Sequence, residues 1–281
     1  MPDAHLDGVR LWYRWSGEGE PVVHIHGGGL GHENFDHLTP LIAQRYAVLD
    51  LDLRGYGASD RPEQQYTLEL WADDVVALMD HLGVGRAHVH GTSTGGMIAL
   101  ALAAEHPERL LSLTLTCTAA KLDYAGWLLF EVWTKIMDAY GLDDPTLGML
   151  LALQGFTRDY LDEHGPQTVD TIGSTIAGAC SAAVFTAACH ELQRADFTDA
   201  IPRITAPTLV LTGAEDQMTP VDVGPSGIGS RRLAEMLPNG RLELLHGAGH
   251  THLVQQPERT AEVILAFLDE VSSHSEAVAA T

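Results

Sequence analysis

Short apolar runs and helix-patterned stretches take turns through the first part of this chain, and most runs end in glycine. VVHIH (22–26) enters GGG, and YAVLDLDL (46–53) enters RGYGASD. LWADDVVALMDHL (70–82) carries apolar residues at helical spacing and stops at Gly83. AHVH (87–90) enters a Gly/Thr/Ser turn, MIALALAAEH (97–106) is an apolar helix stopped by Pro107, and LLSLTLT (110–116) is a further run. VRLWYRW (9–15) alternates enough to add a strand. Strands apolar on both sides must be covered on both sides, and parallel neighbours need a crossover, usually a helix. The expected architecture is α/β, a mostly parallel sheet with helices on both faces.

The alternation breaks at about Ala119. Residues 120–197 hold only helical patterns, such as YAGWLLFEVWTKIMDAY and PTLGMLLALQGF. It resumes with PTLVLTG (207–213), the helix-patterned RRLAEML (231–237), RLELLHG (241–247) and a closing helix over about 257–272. The expected organisation is a core built from residues 1–119 and 198–275, an all-helical cap over 120–197 inserted between two core strands, and a frayed tail over 276–281. A chain of 281 residues accommodates one such domain.

The pentapeptide Gly91-Thr92-Ser93-Thr94-Gly95 follows one strand and opens one helix. That is the setting of a nucleophile elbow, in which a serine is lifted to a sharp apex between strand and helix. In a chain with 28 glycines the same pattern could be an ordinary turn, so the context decides. A serine hydroxyl needs a general base, and the base needs an orienting carboxylate. Asp216 follows the strand 207–213, and His250 follows the strand 241–246. Both then project from the sheet edge that carries Ser93, in the chain order serine, acid, histidine. Asp123, after the strand 110–116, is an alternative acid, and His246 and His252 flank His250.

An acyl-transfer site also needs two N–H donors for the oxyanion. Thr94, directly after the serine, offers one, which leaves its side chain free to vary. The loop Gly27-Gly28-Gly29 offers the other, and Gly28 is the favoured donor. HGGGLGHEN lacks both the Lys-Ser/Thr of a phosphate-binding loop and a spaced G-x-G-x-x-G, which argues against a nucleotide.

IHGGG (25–29), DLRGYGASDRP (52–62), HGTSTGG (90–96), APTLVLTGAEDQMTP (206–220) and HGAGHTHLVQQPE (246–258) together resemble the α/β-hydrolase superfamily. The likeness covers about residues 4–119 and 200–272, with the helical block in the slot where such enzymes carry a variable cap. The overall look is similar to small bacterial esterases, enol-lactonases and carbon–carbon bond hydrolases. The resemblance implies an eight-stranded α/β-hydrolase fold and a Ser-His-Asp hydrolase without cofactor. It makes Ser93 the nucleophile, Asp216 the acid, His250 the base, and Gly28 and Thr94 the oxyanion donors. Thr92 and Thr94 depart from the bulky and apolar residues usual around the serine. Gln255 stands where an acidic residue is frequent.

His24 and His90 occupy strand positions usually held by aliphatic residues. With His26 and His88 they form H-I-H-G and H-V-H-G. Four imidazoles could bind zinc, but alternating residues on buried strands favour a neutral, hydrogen-bonded cluster, and no metal is expected. His32 and His37 lie near the oxyanion loop and are expected to be solvated. In the cap, Trp127, Phe130, Trp133, Met137, Leu150, Leu153, Phe156 and Phe185 recur at helical spacing, so most pack the cap on itself. Trp127, Phe130, Trp133 and Phe156, with Gly29 and Thr92, are the candidate pocket lining. Cationic residues are few there (Lys121, Lys135, Arg158 and Arg194), which favours a small, neutral, apolar acyl or ring-bearing substrate.

The formal charge of −22 repels nucleic acid and anionic membranes. No apolar run reaches the roughly 18–20 residues of a bilayer span. The N-terminus MPDAHLDGVR has neither the basic nor the apolar region of a signal peptide. Cys117, Cys180 and Cys189 have no metal-like spacing and suit a reduced, cytoplasmic protein. The expected partners are a small-molecule substrate and, as a further option, a second copy in a homodimer.

Overall fold

The computed structural model describes residues 3–279, with side chains to residue 274. Eight strands form one sheet: β1 (Asp3–Leu6), β2 (Val9–Ser16), β3 (Pro21–Ile25), β4 (Ala47–Leu51), β5 (Ala87–Thr92), β6 (Leu110–Thr116), β7 (Thr208–Gly213) and β8 (Gly240–Leu245). Their order is β1-β2-β4-β3-β5-β6-β7-β8. β2 is antiparallel to β1 and β4, and every later pairing is parallel. The mostly parallel sheet is the one the alternation demanded. β1 is a strand that sequence reading missed, because four residues with two polar side chains carry too short a period.

The core helices are α1 (Thr39–Ile42), α2 (Leu68–His81), α3 (Thr94–Glu105), α8 (Ser230–Met236), α9 (His252–Gln255) and α10 (Pro257–Ala279). Between β6 and β7 lie α4 (Tyr124–Tyr140), α5 (Pro145–Gly155), α6 (Arg158–Ala179) and α7 (Ala182–Arg194). Each of these four starts where a short polar side chain closes the first turn. Asp123 accepts from the Gly126 N–H, Asp144 from Thr146, Thr157 from Tyr160 and Ser181 from Val184. The closing helix runs on through Ala279, past the 257–272 expected from the sequence. Residues 280 and 281 lie outside the described residues. Among the described residues no helix is long and apolar enough to cross a membrane.

Strand alternation sorts the core into two clusters. Val23, Ile25, Leu49, Leu51, Val89 and Val210 join Trp71 and Met97 in one. Val22, Val48, Leu209 and Leu211 join Phe35, Ile42 and Phe267 in the other. By the same two-residue period, His24, Asp50, His88 and His90 belong with the second set. This face of the central sheet therefore buries a polar row among apolar neighbours.

Candidate active site

Ser93 stands at the junction of β5 and α3 with φ 53° and ψ −118°, a conformation that non-glycine residues seldom adopt. Two close approaches hold the turn. A Cβ on Gly91 would lie 2.2 Å from the Gly95 carbonyl oxygen, and one on Gly95 would lie 2.1 Å from that of Ile25. Any side chain at either position would push strand and helix apart, which is why the motif keeps both glycines. The Ser93 N–H donates to the Thr116 carbonyl at 2.9 Å, and Thr118 Oγ1 donates to the Ser93 carbonyl at 2.8 Å. The strained apex is thus tied to the end of β6 from both sides.

Asp216 lies in the turn after β7, and His250 lies in the loop after β8. His250 Nδ1 is 2.9 Å from Asp216 Oδ2 and 3.1 Å from Oδ1. The carboxylate also accepts the backbone N–H groups of Met218 (2.8 Å) and Thr219 (2.9 Å) and the Thr219 hydroxyl (2.8 Å). Burial pushes the Asp216 carboxyl up, but the adjacent His250 and these donors outweigh it and hold the group below its usual range. Asp216 is therefore an anion with one imidazole to orient, and that contact leaves the proton on Nδ1 and the lone pair on Nε2.

The alternative acid has other work. Asp123 Oδ1 caps α4 at the Gly126 N–H (2.8 Å), and Oδ2 accepts from Gly224 (2.7 Å). His252 is buried, with Nδ1 3.0 Å from Thr260 Oγ1, and burial pushes it down to about 3. His246 is exposed.

The glycine loop after β3 is pinned by Asn34, whose Oδ1 accepts the Gly27 N–H at 2.9 Å. Gly28 faces Thr94: a Cβ there would lie 2.7 Å from Thr94 Oγ1. The two candidate oxyanion residues are thus neighbours across the loop, and the N–H of Thr94, in the first turn of α3, has no place in the helical ladder. The Thr94 side chain, expected from the sequence to be free to vary, is buried and faces Gly28. Asn34 and Thr118 were missed because their signal is tertiary.

Gly29 (φ 75°) is covered by the cap: Phe185 and Ile176 atoms lie 3.1–3.4 Å from the place a Cβ would occupy. The aromatics chosen from sequence pack on neighbours within the cap. Phe130 packs edge-on against Trp133 at 4.7 Å, and Trp133 Nε1 donates to Gln154 Oε1 at 3.1 Å. Trp127 stacks on Tyr124, and Phe156 stacks on Tyr160. Phe185, with Trp133 behind it at 6.3 Å, is the aromatic against the glycine loop. Thr92 ends β5 as a buried residue. A cleft of about 350 Å³ opens between the start of the cap and the loop after Asp216, lined in part by Leu122, Asp123, Leu129, Met218 and Val223; Ser93 does not line it.

The four histidines of H-I-H-G and H-V-H-G do not converge on one point. His24 Nδ1 is 2.9 Å from Asp50, His88 Nδ1 is 2.7 Å from Ser112, and His90 Nε2 is 3.0 Å from Thr116 Oγ1. His26 Nδ1 lies 2.9 Å from the Gly27 carbonyl, and its Nε2 accepts the Leu53 N–H at 3.1 Å. Burial pushes His26, His88 and, furthest, His90 below the ordinary imidazole range. Near the oxyanion loop, His32 is not a free loop side chain, since it bonds Asp52 at 2.9 Å and stacks on Trp12 at 3.9 Å, whereas His37 is exposed.

Similarity to known proteins agrees with this fold. Residues 20–257 match the family described as alpha/beta hydrolase fold. The chain is 32% identical to 3-oxoadipate enol-lactonase 2 of Acinetobacter baylyi, over 92% of this chain and 93% of that protein. It is 30% identical to 2-hydroxymuconate semialdehyde hydrolase of a Pseudomonas species, over 95% and 93%. The crystal structure of the enol-lactonase from Burkholderia xenovorans LB400 superposes with a TM-score of 0.84 at 26% identity, covering 95% of this chain and all of that one. An eight-stranded sheet of this order, a serine elbow after β5 and a shared region of this extent make the chain a member of the α/β-hydrolase fold family of enzymes.

Proposed function

We propose that this protein hydrolyses a small, mostly apolar carboxylic ester or lactone through Ser93, His250 and Asp216. The observation that carries the reading is the buried Asp216 carboxylate, which has three other donors and the His250 imidazole on its two oxygens. His250 Nε2 takes the Ser93 proton as Oγ attacks the carbonyl carbon. The oxyanion is received by the N–H groups of Gly28 and Thr94. His250 returns the proton to the leaving alkoxide, and an acyl-enzyme remains. Water, deprotonated by the same nitrogen, adds to the acyl carbon; collapse releases the acid and restores Ser93. Asp216 stays ionised throughout and stabilises the imidazolium.

The substrate class rests on the cap. Phe185 and Ile176 present hydrocarbon to the oxyanion loop, and enol-lactonases are among the relatives. In a lactone the leaving alkoxide stays tethered to the acyl group, so one ring-opened product leaves the site. The similarity to 2-hydroxymuconate semialdehyde hydrolase supports a second reading, cleavage of a carbon–carbon bond beside a carbonyl by the same residues.

Turnover of p-nitrophenyl butyrate and of a lactone panel, followed by acid release, tests the first reading, with Ser93→Ala and fluorophosphonate labelling as controls. Activity lost in Ser93→Ala, with the label on Ser93, is the expected result. Full activity in that variant would overturn it. Inert esters and lactones beside a cleaved vinylogous 1,5-diketone would favour the second reading.

A further inference from the structure

Behind the candidate triad lies a fourth chemically active side chain, which the proposed reaction does not use. Cys117, one residue past β6, is fully buried and adopts φ 45°. A cysteine in the left-handed region is unusual, and such strain gathers at functional sites. The backbone holds it there: its N–H donates to the Leu211 carbonyl at 3.0 Å, and the preceding Thr116 carbonyl binds the Ser93 N–H. Sγ is 3.9 Å from the Gly249 carbonyl oxygen, beside the histidine loop. One ligand atom each from Cys117, Asp216 and His250 lies within 4.8 Å of the others. The Asp216 side chain is wholly buried, and His250 retains 11% exposure, so the cluster is open to solvent at the imidazole.

We propose that Cys117, Asp216 and His250 form a binding site for a soft divalent cation, Zn²⁺ being the physiological candidate, and that occupation switches the enzyme off. The donor set is one that zinc favours: a thiolate, an imidazole and a carboxylate, with a fourth position open to water. Charge balance supports it. A lone thiolate is costly at this depth, fully buried beside the Asp216 carboxylate. A thiolate and a carboxylate around a dication sum to zero, so the neutral cluster escapes that cost. Asp216 can offer Oδ2 while Oδ1 keeps the N–H groups of Met218 and Thr219.

The protons balance simply. The thiol proton leaves to solvent as the metal–sulfur bond forms. The His250 proton moves from Nδ1 to Nε2 as Nδ1 gives its lone pair to the metal. An imidazole protonated on Nε2 cannot accept the Ser93 proton, so turnover stops. Loss of activity thus rests on the role proposed for His250; binding itself does not. The site was invisible in sequence, because its ligands come from three separate strand ends, at 117, 216 and 250.

Cd²⁺, a spectroscopic stand-in for Zn²⁺, is titrated into the full-length protein, and the thiolate-to-metal charge-transfer absorption is followed. In parallel, p-nitrophenyl butyrate turnover is measured against added Zn²⁺ and after EDTA. One saturable thiolate band, displaced by Zn²⁺, is expected, with inhibition that EDTA reverses. Cys117→Ala and Cys117→Ser, each compared with its own metal-free rate, should lose the band although Cys180 and Cys189 remain. Each should need roughly ten-fold or more Zn²⁺ for half-inhibition, as even losing a residue that only orients a metal ligand costs that much. The serine variant keeps a polar atom of similar size, so the test survives if the alanine variant does not fold. A missing band in the wild type, a band that persists without Cys117, or unchanged Zn²⁺ sensitivity in both variants overturns the site. A Cys117-dependent band in a protein with no hydrolytic turnover leaves the site standing and removes the proposed reaction.

Discussion

Thr251, next to the candidate base, donates both its backbone N–H (3.0 Å) and its hydroxyl (2.9 Å) to the carbonyl of Gly155 at the end of α5. Four residues on, Gln255 spans the same junction: its Oε1 accepts the Gly249 N–H at 2.9 Å, and its Nε2 donates to Thr157 Oγ1 at 2.9 Å. The loop that carries His250 is thereby fastened to the corner between α5 and α6. The Gln255 amide thus accepts on the core side and donates on the cap side.

This fastening predicts a coupling between cap and base. Gln255→Leu strands the buried Gly249 N–H and unties Thr157, at a cost of about 1–3 kcal/mol. Thermal denaturation should show the loss, and kcat should fall with it as His250 loses its fixed loop. Gln255→Glu can still accept from the Gly249 N–H, and its second oxygen can accept the Thr157 hydroxyl. It should recover most of both quantities. A glutamate variant as impaired as the leucine one would show that the amide donor itself is required.

The two candidate acids separate by kinetics. Asp216→Asn should lower kcat by about 10⁴-fold, the size seen when a triad carboxylate is made neutral. Asp123→Ala should leave kcat within a few-fold. It removes an N-cap, so it should cost about 1 kcal/mol in stability. Steady-state rates beside melting curves decide between them, and a kcat collapse in Asp123→Ala would reverse the assignment.

Gly28 and Thr94 should be energetically coupled. Gly28→Ala places a Cβ 2.7 Å from Thr94 Oγ1, so the loop must shift and the oxyanion donor moves with it. The obstructing atom belongs to a side chain, so Gly28→Ala/Thr94→Ala should regain much of the activity lost in Gly28→Ala alone. A double-mutant cycle on kcat/KM measures this, and additive effects would disprove the contact.

Acid should destabilise the fold well above the carboxylate range. His26, His88 and His90 are held below their ordinary value by burial. In the unfolded chain they take up protons below about pH 6.5, while in the folded chain they resist. The unfolded state then binds more protons, so stability is fully present above about pH 6.5 and is lost as pH falls. Each such group contributes up to about 1.4 kcal/mol per pH unit. Asp50, Asp52 and Asp216 are shifted down, so their contribution is lost only below about pH 4. The window between is diagnostic. Tm should fall steadily from pH 6.5 to 5, and His90→Leu should flatten that slope.

The sheet, its parallel majority and the helical insertion were legible in the chain, because buried parallel strands must be apolar throughout and helices must repeat every 3.6 residues. That Ser93, Asp216 and His250 each follow a strand was legible, and strands of one parallel sheet deliver their ends to a common edge. The glycines at 91 and 95 announced a close approach before the approaching atoms were known.

Only the tertiary structure assigned Asp123 to capping and Asp216 to His250, since both follow strands and nothing local separates them. It alone set Thr94 against Gly28, brought Phe185 over Gly29 ahead of the cap aromatics nearer in sequence, and gathered Cys117 to Asp216 and His250. Local order along the chain follows from backbone sterics and the burial of apolar side chains at a fixed period. Which side chains meet across strand ends and cap corners depends on packing between segments up to a hundred and more residues apart, for which this single sequence carries no periodic signal.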